Sequence, residues 1–380
     1  MSGRLANDLN KVLIVGGGIA GMAAAIRLRE AGVEQIEMID VDPQWRVYGT
    51  GITLSTLTMR ALCDLGFRDE ILAHGFAHNR VSMRTSAGKI LNVVESPSVF
   101  ADGTPSEGGI LRPVLHKMMS ERVLGYDIKV RLGLTVEKAE QDEDGVSVTF
   151  TDGSTGRYDF VIGADGLFSK MRELVFPDTP KPTFTGQACW RVLFDRPDDF
   201  DHCHMYMGKM VKAGFNPCAP DKMYMFVLEH VPGNPRRSQD ELVSILQELT
   251  ADFEGEAGEL IRSVKSGSQI VYRPLESILI DGDWYCGRIL LIGDAVHATT
   301  PHLGSGAGMA VEDAIVLVDE LKKTSVLEVA LQNFMDRRLP RGKAVVGNSL
   351  RIGDLEMAGA PMSEIGPLFG QSLQMIAQPY

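Results

Sequence analysis

Nothing in this chain suggests a disulfide framework, a membrane span or a surface for polyanions. Its five cysteines (Cys63, Cys189, Cys203, Cys218, Cys286) are dispersed and odd in number, with no CxxC pair, as expected of reduced thiols in a cytosolic protein. The first ten residues, MSGRLANDLN, lack the apolar core of a secretory signal, and no apolar run reaches the length of a bilayer crossing. Positive charge is scarce: 38 Lys and Arg against 50 Asp and Glu leave a formal net charge of −12. That balance disfavours nucleic acid and anionic membranes as partners. Metal-ligand spacing is missing too. His202-Cys203-His204 comes nearest, but successive strand residues point to opposite faces, so one site would not use all three and no metal is expected.

What is present is an ordinary globular composition, 44% hydrophobic and 23% charged over 380 residues, long enough for two domains. The stretch Leu290 to Asp313, LLIGDAVHATTPHLGSGAGMAVED, organises the rest. A buried-strand run breaks at Gly293-Asp294, crosses a small-residue loop, and restarts as a helix with Ala310, Val311, Ala314, Ile315, Leu317, Val318 and Leu321 on its apolar stripe. Such a loop aims free backbone N–H groups at whatever lies before the helix, and Gly304, Gly306 and Gly308 let a flat or anionic ligand approach the main chain.

Two other turns share this form. Lys11 to Val15 is a strand signal, followed by Gly16-Gly17-Gly18-Ile19-Ala20-Gly21, an alanine-rich helix, and a second strand ending in Asp40. The glycines permit a tight turn and a pyrophosphate at the helix start, and the acid accepts from a ribose, so this pattern predicts dinucleotide binding. A meander over 136–162 then leads to Gly163-Ala164-Asp165-Gly166, with Ser169 capping a new helix. One long cofactor crossing the ends of a parallel sheet would explain all three turns (16–21, 163–169, 293–306) together.

These residues resemble the single-component, FAD-dependent aromatic hydroxylases, the class typified by 4-hydroxybenzoate hydroxylase and salicylate hydroxylase. The glycine fingerprint at 16–21, the run Phe160 to Arg172 containing Asp165-Gly166, and Gly287 to Ala295 containing Gly293-Asp294 are similar to the family's three motifs. His297 to Pro301 continues the third, and Gly51-Ile52, Arg112 and Gln187 to Arg191 resemble further family segments. The likeness spans about residues 10 to 350. It implies an α/β fold: a Rossmann-like FAD-binding domain (1–78, 107–178 and 281–322), an antiparallel-sheet substrate domain (79–106 and 179–280) and a C-terminal helical segment (323–380). Two departures, Tyr48 before the Gly49 to Gly51 segment and Thr56-Leu57 where the family often has Pro-Asn, bear on substrate class.

By this resemblance Gly16, Gly18, Ile19, Ala20 and Gly21 cradle FAD, Asp40 holds the adenosine ribose, and Arg112 lies at the pyrophosphate. Asp165 sits near the pyrophosphate and helps a nicotinamide cofactor pass; Gly293 and Asp294 serve the ribityl chain. Gly51, Pro301, Gly304, Gly306 and Ala307 lie along the isoalloxazine ring, and His297 is structural. NAD(P)H reduces the flavin as a transient co-substrate, O2 adds at C4a, and the hydroperoxide hydroxylates a small aromatic or heteroaromatic, phenol-like substrate. Deprotonating that substrate calls for a base near the working pH. His302 is the first candidate, then His204 and Tyr206; Arg191 would pair with a substrate carboxylate or with protein acids, and Pro301 borders the reacting ring. No second G-x-G-x-x-G exists for a separate nicotinamide domain, and no WxWxIP segment suggests a halogenase. A flavin oxidase or dehydrogenase on the same fold, or a non-catalytic FAD-binding redox sensor, are the competing readings. A cytoplasmic monomer or homodimer is expected, the apolar tail 356–380 packing against something, a second subunit included.

Overall fold

The computed structural model describes residues 9–47 and 49–380; Tyr48 and residues 1–8 of the first expected segment lie outside them. A six-stranded sheet forms the larger half. Its order is Tyr285–Cys286, Ile289–Leu291, Phe160–Gly163, Lys11–Val15, Gln35–Asp40, Lys129–Leu132, parallel except for the first strand. The central strands are apolar on both faces because helices cover both, so they read as continuous hydrophobic runs. The three strands that end in the glycine turns are adjacent in this order, so residues 16, 164 and 292 arrive side by side. Ala164 N donates to Val15 O and Ile292 N to Gly163 O, carrying the register to the strand tips.

The second large sheet has seven strands, in the order Ile270–Ser277, Thr183–Asp195, Lys222–His230, Lys212–Ala219, Cys203–Met207, Arg80–Thr85, Ile90–Glu95. Only the pair Cys203–Met207 with Arg80–Thr85 is parallel. One face carries Trp190, Val192, Tyr206, Phe215, Met223 and Met225 under the amphipathic helices Gln239–Leu249 and Gly255–Ser263. The other face looks toward the six-stranded sheet. A small antiparallel sheet, Gly51–Leu54, Glu107–Leu111 and Phe76–His78, lies against it.

Two features differ from expectation. The pattern predicts helices over 326–339 and 341–355 divided at Pro340, whereas one helix runs unbroken over Leu327–Met357. Proline removes one hydrogen bond there, but Arg338 and Arg341 on either side are anchored to Glu312, and the helix continues through it. The apolar tail finds its partner within the chain. In the helix Met362–Ile376, Leu373, Met375 and Ile376 pack with Leu57, Met309 and Val345, and Ile365, Leu368 and Phe369 with Leu303, Ile352 and Leu355. No helix among the described residues is long and apolar enough to cross a membrane.

Candidate active site

The first turn is shaped by exclusion. Gly16 has φ +111°, and a Cβ there would stand 2.3 Å from Ala164 O; one on Gly21 would stand 1.9 Å from Gly16 O. The helix Ile19–Glu30 starts from Gly18 with no side-chain cap, which leaves its first N–H groups for an anion. Asp40 accepts from Gly17 N–H at 2.7 Å, so the acid at the end of the second strand is fixed beside the glycines.

From this turn a single cavity of about 480 Å³ runs across the strand ends. Gly18, Ile19, Ala20 and Asp40 line one end; Gly51, Arg112 and Asp294 line its middle; Pro301, Gly304, Gly306 and Ala307 form one side. Its far end is walled by the second sheet through Cys189, Arg191, Tyr224 and Phe226. Alternation explains that wall: Cys189 and Arg191 on one strand, Tyr224 and Phe226 on its neighbour, point away from the helix-covered face. The Gly51 backbone lies under the Tyr224 ring, where a Cβ would fall 2.2 Å from Cδ1.

Charges face this cavity from both sides. Asp294 is exposed, but only to the cavity, and the surrounding protein raises its carboxyl above the ordinary value against the pull of His297 and Arg112. Arg112 is lowered by burial and by the nearby Arg191 guanidinium, with Asp294 opposing. No carboxylate pairs with Arg191 among the described residues, which leaves its guanidinium for a ligand.

Gly293 shapes the third turn without lining the cavity. It has φ +63°, and its N–H donates to Asp313, which also receives His297 Nε2 at 2.6 Å. Arg338, fully buried, neutralises Asp313 and Glu312 at 2.7 Å each. The loop is tied to the 55–58 segment by Thr58 Oγ1 to Gly304 O and by the Ser55 and Ser305 hydroxyls. Thr56 and Leu57, the departures from the family pattern, are buried away from the cavity.

Four expected site residues turn elsewhere. Asp165 does not line the cavity, although Ala164 and Gly166 do; its carboxylate accepts from Ser169 Oγ and Met171 N–H and so shapes the start of the next helix. His204 and Tyr206 share a face, as alternation requires, but it is the face covered by the helices, where they pack with Phe200, Phe215 and Phe253. Burial, with Arg84 nearby, pushes the His204 imidazole down to about 3. His302 leaves the cavity because its 3-10 helix, Pro301–Leu303, turns the ring toward the long C-terminal helix. It fills space that a side chain on Gly353 would take, with Nδ1 2.8 Å from Thr300 Oγ1 and Nε2 3.4 Å from Glu356. Burial lowers its basicity and Glu356 partly restores it. His302→Ala is therefore expected to leave the pH profile of turnover unchanged and to lower stability by about 1–3 kcal/mol. Loss of a titrating limb would restore His302 as the base.

Sequence reasoning missed Trp45, His116, Thr53 and the cavity role of Tyr224 and Phe226. Trp45 Nε1 donates to Gly17 O and its ring meets His116 edge-on at 5.6 Å, both lining the dinucleotide end. Asp201, His202 and His204 do gather within 4.8 Å, because 202 and 204 alternate to one face. Cationic side chains already meet this group: Arg80 donates to Asp201 at 2.7 Å and Arg84 to His204 at 3.3 Å.

The glycine cradle, Asp40, Arg112 and Asp294 along one trough fit FAD. The family described as FAD binding domain matches residues 10–349. The putative FAD-dependent monooxygenase YetM of Bacillus subtilis is 29% identical over 374 residues, 98% of this chain and 100% of that protein. The 2-heptyl-3-hydroxy-4(1H)-quinolone synthase of Pseudomonas aeruginosa is 32% identical over 312 residues, 80% of this chain and 79% of that protein. Klebsiella pneumoniae HpxO, solved with FAD and uric acid, superposes with TM-score 0.84 at 24% identity, covering 97% of this chain and 93% of that one. By a match that takes in nearly its whole length, the chain belongs to the FAD binding domain family, among FAD-dependent monooxygenases.

Proposed function

We propose that this protein is an NAD(P)H- and O2-dependent FAD monooxygenase that hydroxylates a small aromatic or heteroaromatic ring. One observation carries the reading: the trough that suits a dinucleotide opens, without a break, into a chamber walled by Tyr224, Phe226, Leu275 and Arg191. Bound FAD would supply the activation of dioxygen. The chain's own residues do the rest. Pro301 to Ala307 and the second sheet close the chamber from two sides and limit water. Arg191, free of protein carboxylates, holds an electron-rich, oxygen-bearing ring by charge. No described histidine lines the chamber end, so an already ionised substrate suits it better than one awaiting a histidine base.

A panel of hydroxyarenes, aminobenzoates and hydroxypyridines, scored for stimulated NAD(P)H consumption and for oxygen-18 in product, tests the reading. Stimulated consumption without label in any product would mark an oxidase or dehydrogenase instead. Purified protein that never consumes NAD(P)H with any ring would mark the redox sensor. Asp294→Ala is expected to weaken FAD binding about tenfold, read by equilibrium dialysis of the flavin. Undiminished flavin retention would remove Asp294 from the cofactor site.

A further inference from the structure

Two hydroxyls stand together on the cavity wall, those of Thr53 and Tyr224, hydrogen-bonded to each other. Behind Thr53 lies Asn216, fully buried, whose amide nitrogen donates to Gly108 O at 3.2 Å and to Thr53 Oγ1 at 3.4 Å. Behind Asn216 lies His78, 7% exposed, with Nε2 3.0 Å from Asn216 Oδ1. The backbone is fitted to this string: a Cβ on Gly109 would fall 3.1 Å from Asn216 Nδ2 and 2.2 Å from Pro217 O.

The string has one consistent set of directions. A carbonyl only accepts, so Gly108 fixes the amide nitrogen on its own side. Asn216 Oδ1 then faces His78, and because it too only accepts, His78 Nε2 carries a proton. Burial pushes the His78 imidazole down to about 4, and Nε2–H is present whether the ring is neutral or charged. Thr53 thus receives a hydrogen bond from behind, and among the described residues it has no acceptor there for its own proton. Thr53 and Tyr224 hold two hydroxyl protons between them, and their mutual bond uses one. The other is left available on the cavity wall that both side chains line. An amide in the middle also prevents proton relay, since Asn216 has no labile proton to pass on. The string orients; it does not conduct.

We infer that His78 and Asn216 are positioning residues that keep one hydroxyl proton of the Thr53–Tyr224 pair available to the substrate. The cavity then favours rings that present a strong acceptor oxygen there (phenolate, ring carbonyl or carboxylate) over the corresponding neutral O–H. This deepens, and rests on, the substrate chamber of the proposed function; Arg191 in the same chamber adds charge of the matching sign.

The test uses the FAD-loaded protein and 4-nitrophenol, with affinity read by equilibrium dialysis across the probe's own ionisation. The wild type should bind phenolate about tenfold more tightly than phenol. Asn216→Asp places an acceptor behind Thr53 and should erase the preference. His78→Leu removes one of the two groups that hold the amide and should weaken the preference, while His78→Gln keeps an N–H donor and should restore it. Flavin absorbance checks folding in each case, and the His78 pair carries the test if the Asn216 variant loses flavin. Equal binding of phenol and phenolate by the wild type, no binding of either, or full preference in flavin-loaded Asn216→Asp or His78→Leu overturns the inference. A protein that prefers phenolate but oxygenates nothing keeps the donor pair and loses the proposed activity; active enzyme without the preference does the reverse.

Discussion

Arg338→Met is expected to destabilise the protein by about 3–5 kcal/mol, enough to release flavin from much of a purified sample at room temperature. Arg338 is wholly enclosed and bonds Asp313, Glu312 and the carbonyl of Met309. Methionine fills much of the same volume, so the loss is Arg338's share of the charge on two buried carboxylates, Glu312 keeping Arg341 and Asp313 keeping His297, rather than a cavity. Asp313 also holds Gly293 N–H and His297, so the disturbance reaches the turn that presents Asp294. The sign with pH is fixed. Burial alone would raise the Asp313 carboxyl, but His297 and Arg338 together hold it below its ordinary value. Such a carboxylate stabilises the fold above its unfolded pKa, and that contribution is lost as pH falls through the folded value. Without Arg338 the carboxyl moves up and protonates earlier, so the gap between variant and wild type should narrow as pH drops. Urea unfolding at several pH values, followed by flavin fluorescence, measures both effects; a constant gap, or one below about 1 kcal/mol, would remove the ion network from the account of the third turn.

Gly21→Ala should cost FAD affinity about 10- to 100-fold while leaving the sheet intact. The new methyl would lie 1.9 Å from the carbonyl oxygen of Gly16, closer than any real contact, and that oxygen cannot retreat because Gly16 N is held by Ile39 O. The helix start must tilt, and with it the free N–H groups aimed at the diphosphate. Isothermal titration of the apoprotein with FAD, beside a circular dichroism spectrum, separates a lost site from a lost fold. Wild-type affinity in a folded variant would mean that the first turn does not carry the cofactor.

Local chemistry was legible and directions across the fold were not. The glycine spacing at 16–21, the strand before it and Asp40 after it all act within one βαβ unit, so the sequence displays them in order. Pairing of His204 with Tyr206 on one face followed from strand alternation; which face meets the cavity depends on helices between 239 and 263, packed from elsewhere. His302 misled for a similar reason, since its ring direction is set by Gly353 and Glu356 far along the chain. Thr53 and Tyr224 meet across 171 positions, and no local pattern marks such a pair. The burial of Arg338 has no local sign either, since it depends on the acids of the preceding helix.

The order in which the central strands are made has a consequence for biogenesis. Lys11–Val15 pairs early with Gln35–Asp40, but its other partner, Phe160–Gly163, exists only after the first 160 or so residues, and Ile289–Leu291 completes the row much later still. Long-range parallel pairing of this kind is slow to nucleate. A ribosome releasing this chain therefore exposes a half-built trough for most of translation. Flavin capture becomes a late event, and starvation for riboflavin should show first as turnover of newly made protein.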